Sequence, residues 1–388
     1  MSRLEELIQQ LCPDGVEYKQ LSKAATMSRG VRVVKKQLSI DGFPVYQNSM
    51  TPLGYFEKSN CPANTTFIIA AGAAGEIGYS RTPFWAADDC FYFVCPENLI
   101  SRYLYYTLQH QQTYIFSNVR KASVPRISRT VIENIKIPLP PLPVQQEIVR
   151  ILDSFTELTA ELTAELTARK KQYAYYRDAL LTFGSNVKMM PLKKVTEFIR
   201  NGFNYKADKD RSRQYKVARI ETISNGKINM EKVGSVKEIN ENYRLIEGDI
   251  LFSHINSISW LGNTAYFFKR YGELYHGMNL LCFRPKIEII HPRYLYHIMQ
   301  THLFRGYINR YAKHACNQYS LSVSDINKWE IPIPSIDVQH YLVSVLDRFD
   351  VLCNDLTSGL PAEIKARKQQ YEYYRNKLLS FQEAKDDV

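Results

Sequence analysis

Residues 168–183 read ARKKQYAYYRDALLTF and residues 366–381 read ARKQQYEYYRNKLLSF, identical at eleven of sixteen positions. Such self-similarity is the first thing to seek in a long chain, because it reveals the architecture before any motif does. The echo continues upstream, where Gln145, Leu152, Asp153 and Phe155 recur as Gln339, Leu346, Asp347 and Phe349. The IPLP of 137–140 returns as the IPIP of 331–334, and Tyr103, Leu104, Tyr105 and Gln109 return as Tyr294, Leu295, Tyr296 and Gln300. The openings match faintly, GVEYKQL ending at Leu21 against NVKMMPL ending at Leu192. The chain is two copies of one plan: a variable globular segment, a proline-rich hinge and a long helix.

The hinge residues Pro138, Pro140, Pro141 and Pro143 suit neither a strand ladder nor a helix interior, so they mark a boundary. From Gln145 the apolar positions Ile148, Leu152, Phe155, Leu158, Leu162, Leu166, Tyr173, Tyr176, Leu180 and Phe183 advance mostly by three and four, the stripe of an amphipathic helix. At about 1.5 Å per residue that helix is a rod roughly 58 Å long. The second copy repeats the stripe from Leu342 to Phe381, with Gly359 and Pro361 predicting a kink or break. A single stripe must be buried, and the other copy is the readiest partner. Burial of each helix on its own globular segment is the alternative. The globular segments hold apolar runs at 66–71, 91–94, 250–253 and 280–283, with helical stretches near 101–112 and 292–304. The expected fold is α/β: two mixed α/β domains, residues 1–143 and 185–337, with long helices over 144–184 and 338–388 packed as an antiparallel coiled coil.

An apolar fraction of 45% with 23% charged residues describes an ordinary folded protein. Fifty Lys and Arg against 39 Asp and Glu give a formal charge of +11, which favours a polyanionic partner. The 27 tyrosines suit interfaces and half-buried sheet faces alike. The seven cysteines are scattered without zinc or redox spacing and read as reduced thiols. With neither an apolar run long enough to span a membrane nor a signal-peptide pattern, a cytoplasmic protein is expected.

Catalytic signatures are missing from the sequence: there is no GxxxxGK[ST], HExxH, GxSxG or Asn-Pro-Pro-aromatic. Gly72, Gly75 and Gly78 lack the lysine or acidic residue of a nucleotide site and read as a tight loop. Glu363 and Lys365 read as a solvated helix face, and His297 and His302 have the wrong spacing for a helical metal pair. No metal site is expected. What remains is a group of basic, polar and aromatic loops in each globular segment. The first comprises Arg29, Arg32, Lys35 and Lys36, then Tyr46, Gln47 and Asn48, then Arg120, Lys121 and Arg126. The second comprises Lys206, Lys209, Arg211 and Arg213, then Ser253, His254 and Asn256, then Arg310, Lys313, Asn317, Gln318 and Tyr319. Arginine and lysine pair with phosphates or guanine and the amides pair with adenine, so these loops are candidate DNA contacts. On the residues alone, an enzyme with an unrecognised motif and a basic scaffold without sequence preference stay open.

The duplicated plan, the IPLPPLPVQQEI of 137–148, the ILD of 151–153 and the repeated helix ends together resemble the specificity subunit of bacterial type I restriction-modification enzymes. The resemblance covers essentially the whole chain. The Thr-Ala-Glu-Leu units at 159–162 and 163–166 look like the spacer repeat of the type IC subfamily. The resemblance implies that each globular segment reads one half of a split double-stranded DNA target. It implies that the long helices, with Tyr173, Tyr176, Tyr371 and Tyr374 as docking residues, hold two methyltransferase subunits. It further implies that two restriction subunits join for cleavage. The chain itself would bind no cofactor; its partners would use S-adenosylmethionine, ATP and Mg. The second copy departs from the first, reading IDVQHY at 336–341 and carrying four more residues between Phe349 and Ala366 than lie between Phe155 and Ala168. Unlike globular segments predict unlike half-sites.

One more Thr-Ala-Glu-Leu unit lengthens the helix by about 6 Å, close to two base-pair steps of about 3.4 Å. Its insertion after Leu166 is expected to widen the unread gap by one or two base pairs and leave both half-sites unchanged, as read by methylation mapping. A change in the bases read would contradict this.

Overall fold

The computed structural model describes residues 3–205, 215–224, 226–315, 318–355 and 358–384. It divides into two compact units, residues 1–163 with 363–388, and residues 164–362.

In the first unit the strand Thr65–Ile69 is buried at all five positions, as its β-branched and aromatic residues favour. It lies between Cys90–Val94 and Ile77–Ser80, and Thr26–Arg29 completes an antiparallel four-stranded sheet. In the second unit Ile250–Ser253 takes the same place, with Leu280–Pro285, Thr264–Tyr266 and Thr196–Asn201 in the same order. Each unit adds a three-stranded sheet containing one parallel pair, Phe43–Tyr46 on Trp85–Ala86 and Tyr215–Ala218 on Tyr275–His276. Two globular segments with little common sequence therefore share one topology.

The hinges are short ladders. Tyr18–Gln20 pairs with Lys136–Pro138, and Met189–Pro191 pairs with Glu330–Pro332. Pro138 and Pro332 end their strands in two-stranded sheets, where a missing N–H is tolerated. The first long helix then runs Leu142–Leu180. It begins three residues before the expected Gln145 because Pro143 sits in its first turn, where no intrahelical partner for an N–H exists. Phe183 lies beyond its end. The second is broken as Gly359 and Pro361 predict, into Ile336–Asn354 and Leu360–Leu378. A Cβ on Gly359 would stand 2.5 Å from the Val351 carbonyl oxygen, and Pro361 again occupies a first turn.

Both modes of burying the stripe are used. In the first unit Val144, Ile148 and Leu152 join the core of Tyr103, Leu104 and Ile137, while Phe155 stacks on Tyr374 with centroids 5.3 Å apart. In the second, Leu342 and Leu346 enter the core of Tyr294 and Leu295. There Phe349 stacks on Tyr173 and Tyr176 at 6.3 Å. Lys170 is within electrostatic reach of Cys353, so the Leu142–Leu180 and Ile336–Asn354 helices run antiparallel. The chain's two described ends meet in the first unit, where Val16 N–H donates to Gln382 and Ala384 N–H donates to Val16.

Two joints seat each helix on its globular segment. Gln145, fully buried, donates to the carbonyls of Asn98 and Pro140 and accepts from the Ile100 N–H at 2.8–2.9 Å. Gln339 repeats this with Ile289, Pro334 and the His291 N–H. Two turns along, Asp153 accepts from Arg102 at 2.8 Å and from the Tyr106 hydroxyl. The Arg102 guanidinium lies over the rings of Tyr79, Tyr105 and Tyr106. Asp347 likewise accepts from Arg293 at 3.0 Å, over Tyr266, Phe268 and Tyr296. Where the first unit has Tyr106, the second has His297, its Nε2 2.7 Å from Asp347.

That exchange makes the second joint sensitive to pH. Burial holds His297 below the ordinary histidine range, the Asp347 hydrogen bond opposing it. As pH falls through about 6.5 the unfolded chain gains a proton that the folded joint refuses, so stability falls. Burial raises the Asp347 pKa, but hydrogen bonds from His297 and Arg293 hold it at about 2. Its stabilising contribution, present above the ordinary Asp range, is lost at still lower pH. His297→Tyr, copying the first unit, is expected to flatten the pH dependence of the denaturation midpoint between about pH 7 and pH 5. An unchanged slope would contradict the assignment.

Candidate nucleic-acid interface

In the first unit three separate stretches of sequence converge at one end of the four-stranded sheet. Just past the central strand, Gly72 takes a positive φ of 86°. Its N–H donates to Pro125 and the Ala73 N–H donates to the Asn48 carbonyl. A Cβ on Gly72 would lie 2.6 Å from that carbonyl oxygen, so only glycine lets the two loops close. Arg120 and Arg126 exchange backbone hydrogen bonds of 2.8 and 3.2 Å, and the Ile127 N–H donates to Ala70. A hairpin carrying Arg120, Lys121 and Arg126, all exposed, thus lies beside the Tyr46–Asn48 loop. Val31 N–H donates to Ala86 and Ala87 N–H donates to Tyr46, which brings the strip of Arg29, Arg32, Lys35 and Lys36 alongside. Arg29 is steadied by the Asp88 carbonyl at 2.8 Å.

Within that surface Asn48 is exposed and Gln47 half-buried. Tyr46 is packed instead, its ring 4.8 Å from Phe67 and 5.6 Å from Phe84, and desolvation raises its pKa. It supports the loop from beneath.

The second unit builds the same corner differently. Lys313–Ala315 and Gln318–Ser320 pair antiparallel, and the second strand also pairs with Ile255–Asn256, setting Asn256 opposite Tyr319. Lys313 and Gln318 are exposed, and the Tyr319 ring lies 4.7 Å from His314. Ser253 and His254, expected among the contacts, are 1% and 9% exposed. The His254 carbonyl accepts from the Leu321 N–H, and burial lowers the imidazole pKa, so both side chains belong to the floor of the corner. The Asn256 amide bonds the Ser257 N–H at 2.8 Å and the Ser253 hydroxyl at 3.2 Å. Lys206, Lys209, Arg211, Arg213 and Asn317 lie outside the described residues.

On the long helices Tyr173 is 7% exposed, with its hydroxyl 3.2 Å from His297. Tyr371 is half-buried and donates to Gln109. Both face their own unit, whereas Tyr176 is 42% exposed and Tyr374 is half-covered by Phe155. Their neighbours Tyr175 and Tyr373 are more exposed, at 70% and 61%. They occupy matching positions in the repeated YAYYR and YEYYR, and sequence reading passed over them because they fall off the apolar stripe. Trp260 and Ile258, also exposed, were passed over because their loop is neither basic nor repeated. Among the described residues no three His, Cys, Asp or Glu side chains are grouped to hold a metal, and no helix is long and apolar enough to cross a membrane.

A family model described as the type I restriction modification DNA specificity domain matches residues 13–169 and again 184–366. A Haemophilus influenzae protein described as a putative type I restriction enzyme specificity subunit is 29% identical over 403 aligned residues, covering 94% of this chain and 96% of that one. The specificity subunit of the Escherichia coli type I restriction enzyme EcoR124I/EcoR124II is 33% identical over 304 residues, 74% of this chain and 72% of its own. The crystal structure of a type I restriction-modification S subunit from M. genitalium has the same fold, with a TM-score of 0.62 at 17% identity over 94% of this chain and 96% of that one.

Lys121→Ala removes an exposed cation at a hairpin tip. It is expected to weaken DNA binding evenly across sequences and to lower the slope of log affinity against log salt by about one. A loss confined to one sequence would assign Lys121 to base reading instead.

Proposed function

The chain belongs to the DNA specificity subunits of type I restriction-modification systems, and from that membership we propose that its two units read the unlike halves of a split, asymmetric DNA target. Its part in such a system is recognition: it directs methylation and restriction carried out by other subunits. The observation that carries the proposal is the corner built twice on one topology with different side chains. Arg120, Lys121, Arg126 and Asn48 face out in one unit, and Lys313 and Gln318 in the other, beside a half-buried Tyr319. Equal scaffolds with unequal loops suit two half-sites of different sequence, because loops on a rigid sheet carry specificity while the sheet fixes their position.

We read residues 1–143 and 185–337 as the recognition domains and 144–184 and 338–388 as the spacer segments. The paired Thr-Ala-Glu-Leu units favour the type IC subfamily. Two modification subunits, using S-adenosylmethionine to methylate adenine, and two restriction subunits, using ATP and Mg, complete the assembly in this reading. The matched exposure of Tyr175 and Tyr373 supports docking of one modification subunit at each.

Methylation mapping of a host carrying this gene with its modification partner, against the same host lacking this gene, tests the proposal. A split adenine-methylated motif with unlike halves is expected to vanish with the gene. Unchanged methylation under demonstrated co-expression, or identical half-sites, would contradict it.

A further inference from the structure

We propose that Trp260 is a base-contacting residue of the second half-site, its indole acting as an apolar wedge against a base step; this rests on reading the second unit as a DNA-recognition domain.

The central strand ends alike in both units. In the first, the Ile69 N–H donates to Glu76 at 2.9 Å and the Gly75 N–H donates to Ile69 at 2.8 Å. In the second, the Ser253 N–H donates to Asn263 at 2.9 Å and the Gly262 N–H donates to Ser253 at 2.8 Å. Gly75 and Gly262 hold φ of 87° and 83°, and a Cβ on either would run into an isoleucine, Ile115 or Ile308. Between these matched closures lie five residues in the first unit, 70–74, and eight in the second, 254–261.

The three extra residues are not needed to close the fold. The short loop is small and flush, with Ala71 and Ala74 buried. In the long loop Leu261 fills the core at 0% exposure, and its carbonyl accepts from Arg305 Nη1 at 2.5 Å. The crest, residues 257–260, stands in solvent, with Ile258 41% and Trp260 50% exposed. The stalk is braced rather than slack. The Trp260 and Leu261 N–H groups both donate to Ser257, the Asn263 N–H donates to Trp260, and Asn256 ties Ser257 to Ser253.

This crest adjoins the candidate interface directly, since Asn256, four residues from Trp260, pairs with Tyr319. A large apolar ring held out from a basic, polar surface has little to gain from water or phosphate. It has much to gain from the flat faces and apolar edges of bases, which wedging side chains meet by opening a step.

The test uses the full chain assembled with its modification subunit and duplexes bearing the motif mapped in the host, beside scrambled duplexes. Trp260→Ala is expected to bind the mapped duplex roughly ten- to a hundredfold more weakly. It is also expected to tolerate other bases in one half-site only, with an unchanged thermal midpoint. Trp260→Phe should keep most of the binding. Addition of the mapped duplex should quench the indole emission that distinguishes wild type from Trp260→Phe. Wild-type binding and methylation by Trp260→Ala would overturn the proposal. So would equal weakening on mapped and scrambled duplexes, or a failure confined to subunit assembly. If the wild-type complex itself yields no split motif, it is the recognition-domain reading that fails.

Discussion

A buried glutamine in the first turns of each long helix is the constraint on which the rest depends. Gln145 and Gln339 each satisfy three backbone groups of the globular segment with one amide. Any tilt of the helix would leave buried donors and acceptors unpaired, at about 1–3 kcal/mol apiece. The Arg102–Asp153 and Arg293–Asp347 pairs add a second point of attachment on the same helix faces. Two fixed points define a direction, so each helix leaves its domain at a set angle. Both guanidinium groups lie over aromatic rings, whose attraction for a cation offsets part of the desolvation cost of a buried pair.

This division of labour explains why the sequence repeats where it does. The residues that recur, from the tyrosines of 103–105 and 294–296 to the glutamine and aspartate of each helix, build joints whose geometry admits few substitutions. The loops at the far end of the sheet are free of that demand. They differ in length and chemistry: Ala-Gly in one unit, Ser-Ile-Ser-Trp in the other. A scaffold of this kind lets specificity change without disturbing the seat of the helix.

The repeat, the long helices, the break at Gly359 and the general placing of the loops were legible in the sequence, because periodicity and proline or glycine chemistry act locally. The common sheet order was not, since strands with unlike residues can adopt one topology and pairing is set by distant partners. Pro143 misled because a first-turn proline is read as a breaker when the helix start is unknown. Tyr173 and Tyr371 lie on the stripe predicted to be apolar, and the structure turns both into their own units. Ser253 and His254 look like polar readers in the sequence but sit beneath the corner, because the chain continues past them into the Asn256–Tyr319 pairing. Trp260 carries no local signal beyond its presence in a serine-rich turn.

In the proposed reading each half-site is read by its own globular segment, and the helices carry no sequence information. The most direct measurement is the methylated motif of a chain carrying residues 13–141 twice, the second copy replacing residues 184–335. A symmetric motif built from one existing half, repeated, is predicted. Survival of the other original half in a folded, active complex would contradict it.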